Sequence, residues 1–421
     1  MSKYDSPKIS VPVFRRELVA DQLRDGYWVE APDIDDDSKP DLFGWGLTMG
    51  EVYWYQNNGE WTRRLVADQI PMPIGGDYAD ISGNGLPDIV LCYDLYGPIG
   101  TIVDPKPDGG RIDWLENPGG ADKVTTRWKR HYIGRMEGMH RLRVGHFTQR
   151  ERLEIIGVPV VASGSGGPHK VLPIVLFTQP DDVQQAAEWP MTVIDDNSFR
   201  HAHGAERKSG LIPGSDLDSM LIASDEGVTW LYFDEARRSW EKVLIGTGEL
   251  TRFEQTGFKG SGDVGIGRIG DDPFGYVAAV EPNHGNTVAV YVKESAGHPA
   301  EVTWRRHVLD VFGDPNENGE GVGHQVVAAD FDGDGEEEFL VALRGPAPWQ
   351  GVMYYKAIDL EQGVFAKWRI SEDSAARIAI ADFDGNGKLD FATIAYKVPK
   401  YFVAKDAKLL LFRNEIDLDR E

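Results

Sequence analysis

The sequence predicts an all-β fold, a seven-bladed β-propeller closed by an N-terminal strand that completes the last blade. Two repeating patterns and an asymmetry at the chain ends predict it. The first pattern is an aromatic residue, then basic residues, then an aliphatic pair. It occurs as Phe14-Arg-Arg-Glu-Leu-Val, Trp61-Thr-Arg-Arg-Leu-Val, Trp128-Lys-Arg-His-Tyr-Ile and Trp304-Arg-Arg-His-Val-Leu, with looser copies from Trp189, Trp240 and Trp368. The second pattern is a β-rich run just before each of the last six copies, at 52–55, 112–115, 174–177, 228–233, 287–292 and 352–355. A seventh run, 409–412, has no aromatic-basic stretch after it, and the copy at Phe14 has no run before it. Pairing these two leftovers closes a ring and removes an open sheet edge.

Each unit then holds four strands: an inner strand, a hairpin, a second strand, and the two runs above. The hairpins fall near residues 33, 80, 146, 210, 268, 330 and 382. Two β-sandwich domains would explain the strand count but not seven phased copies. The expected organisation is one domain over 1–421, with the closing strand in 1–22, blades over 23–412 and a tail at 413–421.

Composition agrees with a large, turn-rich core. The 421 residues include 12 Trp, 15 Tyr, 17 Phe, 48 Gly and 24 Pro, and no long segment carries apolar residues at helical spacing. A formal net charge of −24 argues against nucleic acid or an anionic membrane as partner. The single Cys92 allows no internal disulfide. The opening MSKYDSPKIS lacks a signal-type apolar core, so a cytoplasmic protein is the default expectation, with a secreted mature form and the oligomeric state left open.

Acidic hairpins point to cations. Asp330, Asp332, Asp334 and Glu338 stand at offsets 0, 2, 4 and 8 around Gly333 and Gly335, a spacing suited to Ca²⁺ (or Mg²⁺). Asp382, Asp384, Asn386 and Asp390 repeat the frame, Asp80 to Asp88 weaken it, and Asp33 to Asp41 lack its glycines. These ions are expected to be structural, because the hairpins lie on the face opposite the one through which ligands enter propellers by fold analogy.

On that other face, the inner strands begin beside the central channel. The residue six positions before each hairpin's first acidic position is, unit by unit, Tyr27, Ile74, His140, His203, Gly262, His324 and Ala376. A lone His on a strand is usually structural. Three at one phase of a closed ring converge, which favours a site. Loops between second and third strands add Asp94 and Tyr96, the Ser163–His169 stretch, Glu281 to Asn286 with His284, Arg344 to Trp349, and Tyr396 to Phe402. Aromatic platforms among hydrogen-bonding groups suit a sugar or a peptide. The Gly-rich run at 164–167 lacks the Lys-Ser/Thr of a phosphate loop, and no Gly-x-Ser-x-Gly, His-Glu-x-x-His or Cys cluster supports a hydrolase triad or a zinc site.

The strings DGYWVEA (25–31), GMHRLRVGHF (138–147), HGNTVAVY (284–291), WRRHVLDVFG (304–313) and HQVVAADFDGDGEEEFLVA (324–342) resemble the propeller part of the aldos-2-ulose dehydratase (1,5-anhydro-D-fructose dehydratase) family. The acidic hairpins resemble FG-GAP-type repeats. The likeness runs from about residue 26 to 402. It implies sugar dehydration, with the His of GMHRL, here His140, as base. Two departures stand out: the chain stops before the family's cupin-type metal domains, and Asp77 stands where a His is expected before the second blade's YAD.

The chemistry this implies is β-elimination. A base removes the proton next to a ketone, donors hold the enolate oxygen, and an acid protonates the departing β-oxygen. His140 is the expected base, with His203, His324 and Tyr96 for the other two tasks, and Tyr27, Asp77, Asp94, Glu281, His284, Trp349 and Tyr396 for substrate binding. A polysaccharide lyase cutting next to a uronic acid uses the same steps, and a non-catalytic carbohydrate- or protein-binding propeller is the remaining alternative.

Overall fold

A computed structural model describes residue 9 and residues 11–97, 105–162 and 169–417. The expected loop stretch 163–168, and the ends of the predicted closing segment and tail, lie outside the described residues.

Seven four-stranded antiparallel sheets form the blades of a propeller. Six run from inner to outer strand in chain order: Trp28–Glu30 to Thr62–Ala67, Gly76–Ala79 to Lys129–Arg135, Met139–Gly145 to Met191–Arg200, Gly204–Lys208 to Ser239–Gly246, Asp263–Ile269 to Trp304–Val311, and Gly323–Ala329 to Val364–Ser371. In the seventh, Arg377–Ala381, Asp390–Ile394 and Leu409–Asn414 are completed by Phe14–Ala20. This N-terminal strand pairs antiparallel with its partner from Phe14↔Asn414 to Ala20↔Leu409. Without it, the fully buried strand Leu409–Asn414 would be a bare edge. Glu17 on the closing strand accepts from Trp61 Nε1 at 2.8 Å and from Arg413 Nε at 3.2 Å, so closure also ties blade seven to blade one.

The inner strands crowd the axis. A Cβ on Gly76 would lie 2.5 Å from the Trp45 ring. Third strands carry bulky buried residues such as Trp54, Trp114, Trp230 and Tyr354, which fill the wedge between blades. Among the described residues one helical turn, Asp122–Thr125, interrupts the β architecture, and no helix is long and apolar enough to cross a membrane.

The acidic hairpins work chiefly through backbone hydrogen bonds. Asp330 accepts from Gly333 N at 2.7 Å and Gly335 N at 3.0 Å; Asp382 accepts from Gly385 N, Asn386 N and Gly387 N at 2.7–3.1 Å. The last acid of each frame ties the hairpin to its own sheet, as Asp390 does by accepting from Phe383 N and Asn414 N. Asparagines at one phase then cross between blades: Asn57 Nδ2 donates to Phe383 O, Asn117 Nδ2 to Ile34 O and Asn414 Nδ2 to Phe331 O.

The Asp330 hairpin differs from the expected open ion site. Lys356 Nζ lies 2.5 Å from Asp332, 2.7 Å from Asp334 and 3.0 Å from Glu338, all through side-chain oxygens. A tethered ammonium thus lies among three of the four expected ligands, while Asp330, Asp332 and Glu338 still present oxygens within 4.8 Å of one another. In the Asp382 hairpin the corresponding residue is Arg413, which bonds Asp390 of that frame at 3.3 Å and turns its Nε to Glu17. Asp384 and Asn386 have no such cation over them.

Candidate active site

Where the inner strands begin, a cavity of about 490 Å³ opens around the channel axis. Its floor carries His140, His203 and His284, and its walls carry Tyr27, Tyr96, Tyr396 and Tyr401. His324 lies at the same depth, its ring centroid 5.4 Å from those of Tyr27 and His284 and 5.5 Å from that of His203. The His140 and His203 centroids are 4.7 Å apart, and those of His203 and His284 are 4.9 Å apart. Four imidazoles from four blades thus converge on one point.

Local backbone irregularity aims two of them. The pairing register shifts between Met139 and Arg141, and again between Gly323 and Gln325, so His140 and His324 are both bulged residues. A bulge turns a side chain out of the alternation of its strand. His284 takes φ 47° in a tight turn, stabilised by Gly285 N donating to Pro282 O at 2.9 Å.

The hydrogen bonds fix which ring nitrogens are available. His203 Nδ1 donates to Gly262 O at 3.0 Å, His324 Nδ1 to Ala376 O at 2.5 Å, and His284 Nδ1 to Glu320 Oε2 at 2.7 Å. Nε2 remains in each, that of His203 near Arg141, and that of His284 and of His324 buried with no partner among the described residues. One ring nitrogen of each of the three lies within 4.8 Å of the others. Imidazoles whose second nitrogen is held by a carbonyl or carboxylate are what divalent metal sites use, and buried ring nitrogens left unmatched fit an ion.

His140 faces a different neighbour. Arg141 Nη1 approaches its Nε2 at 3.2 Å, while Arg141 Nη2 donates to Tyr27 Oη at 2.9 Å and approaches His203 Nε2 at 3.3 Å. Burial first, and the Arg141 guanidinium second, hold His140 and His203 well below the usual imidazole range. Burial also lowers His324 and His284, the latter despite Glu320 pulling it upward. All four are neutral near pH 7. Burial raises the Tyr96 and Tyr396 phenols, which stay protonated and able to donate.

Several expected residues lie elsewhere. Asp77 lines a separate opening of about 180 Å³ with Glu30, Arg143 and Glu206, and accepts from Val144 N at 2.8 Å. It stands three residues further along the strand than Ile74, which does line the histidine cavity, and that step carries it away from the cavity. Glu281 is fully buried in an ion pair with Arg306 at 2.5 Å and bonded to Tyr291 Oη, so its oxygens are committed. Trp349 is 40% exposed and packs edge-on against Phe312. Asp94 shapes its loop through the backbone, its carbonyl accepting from Gly97 N and Gly110 N, and does not line the cavity.

Sequence reasoning missed other members. Phe258 lines the cavity, and so does Tyr401, which falls inside the expected loop 396–402 without having been singled out there. His201 lines its wall, pushed down to about 3 by burial and by His169, and accepts from Asn283 Nδ2 at 2.8 Å. His169, the end of the expected Ser163–His169 stretch, bonds Asp225 at 2.8 Å, and Arg252, which sequence did not flag, bonds the same carboxylate oxygen at 3.0 Å. Glu320 carries no motif. Arg141 stands inside the GMHRL string and Arg344 opens the expected loop 344–349, but neither has a role assigned from sequence.

Comparison with known proteins comes out on the same side as the geometry. Residues 109–294 match the family model described as aldos-2-ulose dehydratase, beta-propeller domain, and residues 33–91 match an FG-GAP-like repeat. The chain is 38% identical over 431 aligned residues to aldos-2-ulose dehydratase of Phanerodontia chrysosporium, covering 96% of this chain and 46% of that protein. It therefore spans about half the length of the curated relative it matches. Among solved structures, virginiamycin B lyase from Staphylococcus aureus superposes with a TM-score of 0.51 at 11% identity, covering 95% of this chain and 98% of that one. A streptogramin B lyase gives 0.50 at 11% identity, covering 96% and 98%. At such identity these two likenesses speak for the fold alone.

Proposed function

From the 38% identity to aldos-2-ulose dehydratase along nearly the whole chain and the match of 109–294 to that family's β-propeller model, we propose that the chain is a member of this family and a carbohydrate carbon–oxygen lyase that dehydrates a ketosugar by β-elimination. The observation that carries this reading is the convergence of four neutral imidazoles at a tyrosine-walled cavity. A proton on the carbon beside a ketone is removable only if the resulting enolate is stabilised, and this floor offers both a base and groups for the oxyanion.

His140 takes the α-proton. The electrons of the broken C–H bond form the enolate double bond, then flow on to make the alkene as the β C–O bond breaks. The β-hydroxyl leaves as water once it gains a proton. Tyr96 and Tyr396 are the donors on hand for that oxygen, since burial keeps both phenols protonated. For Nε2 of His140 to accept, Arg141 Nη1 must yield it. The guanidinium keeps its bonds to His140 O and Tyr27 Oη, so the exchange is local. His203, His284 and His324 fit a divalent cation, which when bound would polarise the ketone oxygen as a Lewis acid.

A ketosugar is favoured over a polysaccharide next to a uronic acid because the cavity, with Phe258 and Tyr401 beside its histidines, has a volume of about 490 Å³, which suits a small sugar. The test is absorbance of a new conjugated enone on incubation with aldos-2-uloses and 1,5-anhydrofructose, with uronic-acid oligosaccharides in parallel. Product from the oligosaccharides alone would move the assignment to a polysaccharide lyase. No product from any of them, with sugar binding intact, would leave a binding module.

A further inference from the structure

Among the four floor imidazoles, His284 alone is backed by a carboxylate. His203 and His324 give Nδ1 to backbone carbonyls, and His140 Nδ1 has no partner. Glu320 comes from the loop between the fifth and sixth blades, a stretch without β pattern, and its Oε2 lies 2.7 Å from His284 Nδ1. Arg344, on the sixth blade, donates to that same oxygen. The Arg344 guanidinium is itself fixed, bonding Gly321 O through Nε at 3.1 Å and Nη2 at 2.9 Å, and reaching Tyr396 Oη through Nη1 at 3.3 Å.

The main chain reinforces the arrangement. Gly321 N donates to His284 O at 2.6 Å and Gly323 N to Gly285 O at 2.8 Å, so the loop bearing Glu320 is stitched to the turn bearing His284. Side chains of Arg344, Glu320 and His284 are 2%, 9% and 9% exposed. A buried carboxylate needs a compensating charge, which Arg344 supplies. Glu320 thus stays ionised, and the burial around it makes the bond to His284 strong.

We propose that Glu320 is a positioning residue that acts through His284, holding the imidazole as its Nδ1–H tautomer so that the Nε2 lone pair faces the point shared with His203 and His324. Arg344 keeps the carboxylate in place and couples it to Tyr396 on the cavity wall. A neutral imidazole left without this acceptor would divide between two tautomers, and the Nε2–H form presents a proton where a lone pair is needed. The inference rests on the elimination reading for its kinetic consequence but not for its structural one.

The experiment compares wild type, Glu320→Gln and Glu320→Ala. Histidine ¹⁵N NMR of chelator-treated protein reads the tautomer, and elimination kinetics with metal restored read the consequence. Wild type should show His284 as Nδ1–H. Glu320→Gln keeps a carbonyl acceptor and should retain that form, with turnover close to wild type. Glu320→Ala should gain the Nε2–H form and lose on the order of 10–100-fold in kcat with KM little changed. Should Glu320→Ala leave Arg344 unpaired and fail to fold, the double variant Glu320→Leu/Arg344→Leu, which removes both charges, takes its place. Retention of a pure Nδ1–H tautomer in Glu320→Ala, or in the double variant that replaces it, overturns the proposal, as does an Nε2–H tautomer in wild type. Wild type without elimination activity would instead sink the proposed reaction, while the tautomer spectrum still decides the role of Glu320.

Discussion

Arg141 Nη1 lies 3.2 Å from His140 Nε2, although the two residues are neighbours on one strand. In a regular strand consecutive side chains point to opposite faces. The register shift between Met139 and Arg141 breaks that alternation, so a guanidinium and an imidazole share the channel. Arg141 disfavours a proton on His140, yet it offers two N–H groups to the floor of the cavity. A base that must be empty at neutral pH, beside a cation suited to an enolate, is a workable pair for elimination.

Removing the base should remove the chemistry. His140→Ala is expected to lose a factor on the order of 10²–10⁴ in kcat with sugar affinity retained, since the lost group acts in the transition state. Steady-state kinetics with isothermal binding of the sugar checks this. A variant with wild-type turnover would return His140 to a structural role.

The pH dependence has a definite sign. The active base is the unprotonated imidazole, and burial with Arg141 lowers its proton affinity well below the usual 6.5. Activity should therefore persist as pH falls through 6.5 and be lost only as pH falls through the lower folded value. The profile of log kcat/KM reads it, provided folding is followed by circular dichroism at each pH. An acid limb centred at or above 6.5 would show that another group is the base.

Metal removal should separate activity from stability. If His203, His284 and His324 hold a divalent cation, chelation should lower turnover far more than Tm, and added Zn²⁺ or Co²⁺ should restore it. Full turnover in chelator, with no metal detected by elemental analysis, would exclude a metal from the reaction.

Lys356 is a tethered cation among three carboxylates, and it should behave as one. Lys356→Met leaves Asp332 and Glu338 buried without a counter-charge, a loss of roughly 3–5 kcal/mol in unfolding free energy. Added Ca²⁺ should recover part of that loss in the variant and change the wild type less through this loop. Ca²⁺ at the Asp382 hairpin, where no lysine intrudes, is the expected structural ion. Urea unfolding with and without Ca²⁺ measures both, and a variant as stable as wild type would contradict the clamp.

Ring closure is testable from the end of the chain. Deleting residues 1–22 strips the partner of Leu409–Asn414 and the Glu17 bonds to Trp61 and Arg413. The truncated protein should melt lower and aggregate through the exposed edge. An unchanged melting curve would mean that the closing strand contributes little.

The seven-bladed ring was legible in the sequence because its signals are local. Aromatic-basic strands, β-rich runs and acidic hairpins are written within a few residues each, and their spacing survives any folding of the whole. Even the closure followed, since an unpaired strand at one terminus and a vacant edge at the other have one economical solution. The phase of His140, His203 and His324 was readable for the same reason: in a ring, equal positions on equal units must meet.

What only the tertiary structure decided is which groups face which. Asp77 carried the right chemistry at the wrong step of its strand, and Glu281 was committed to Arg306 from a different strand of its own blade. Lys356 stands 18 residues after Glu338, in a strand whose sequence gives no hint that its ammonium enters the acidic hairpin. Glu320 sits in a loop with no periodicity at all, and it matters because Arg344 and His284 close on it from two sides. Pattern in one dimension reports backbone pairing, which is periodic. The charge state and aim of a buried side chain depend on neighbours brought together by the ring, and no local pattern encodes them.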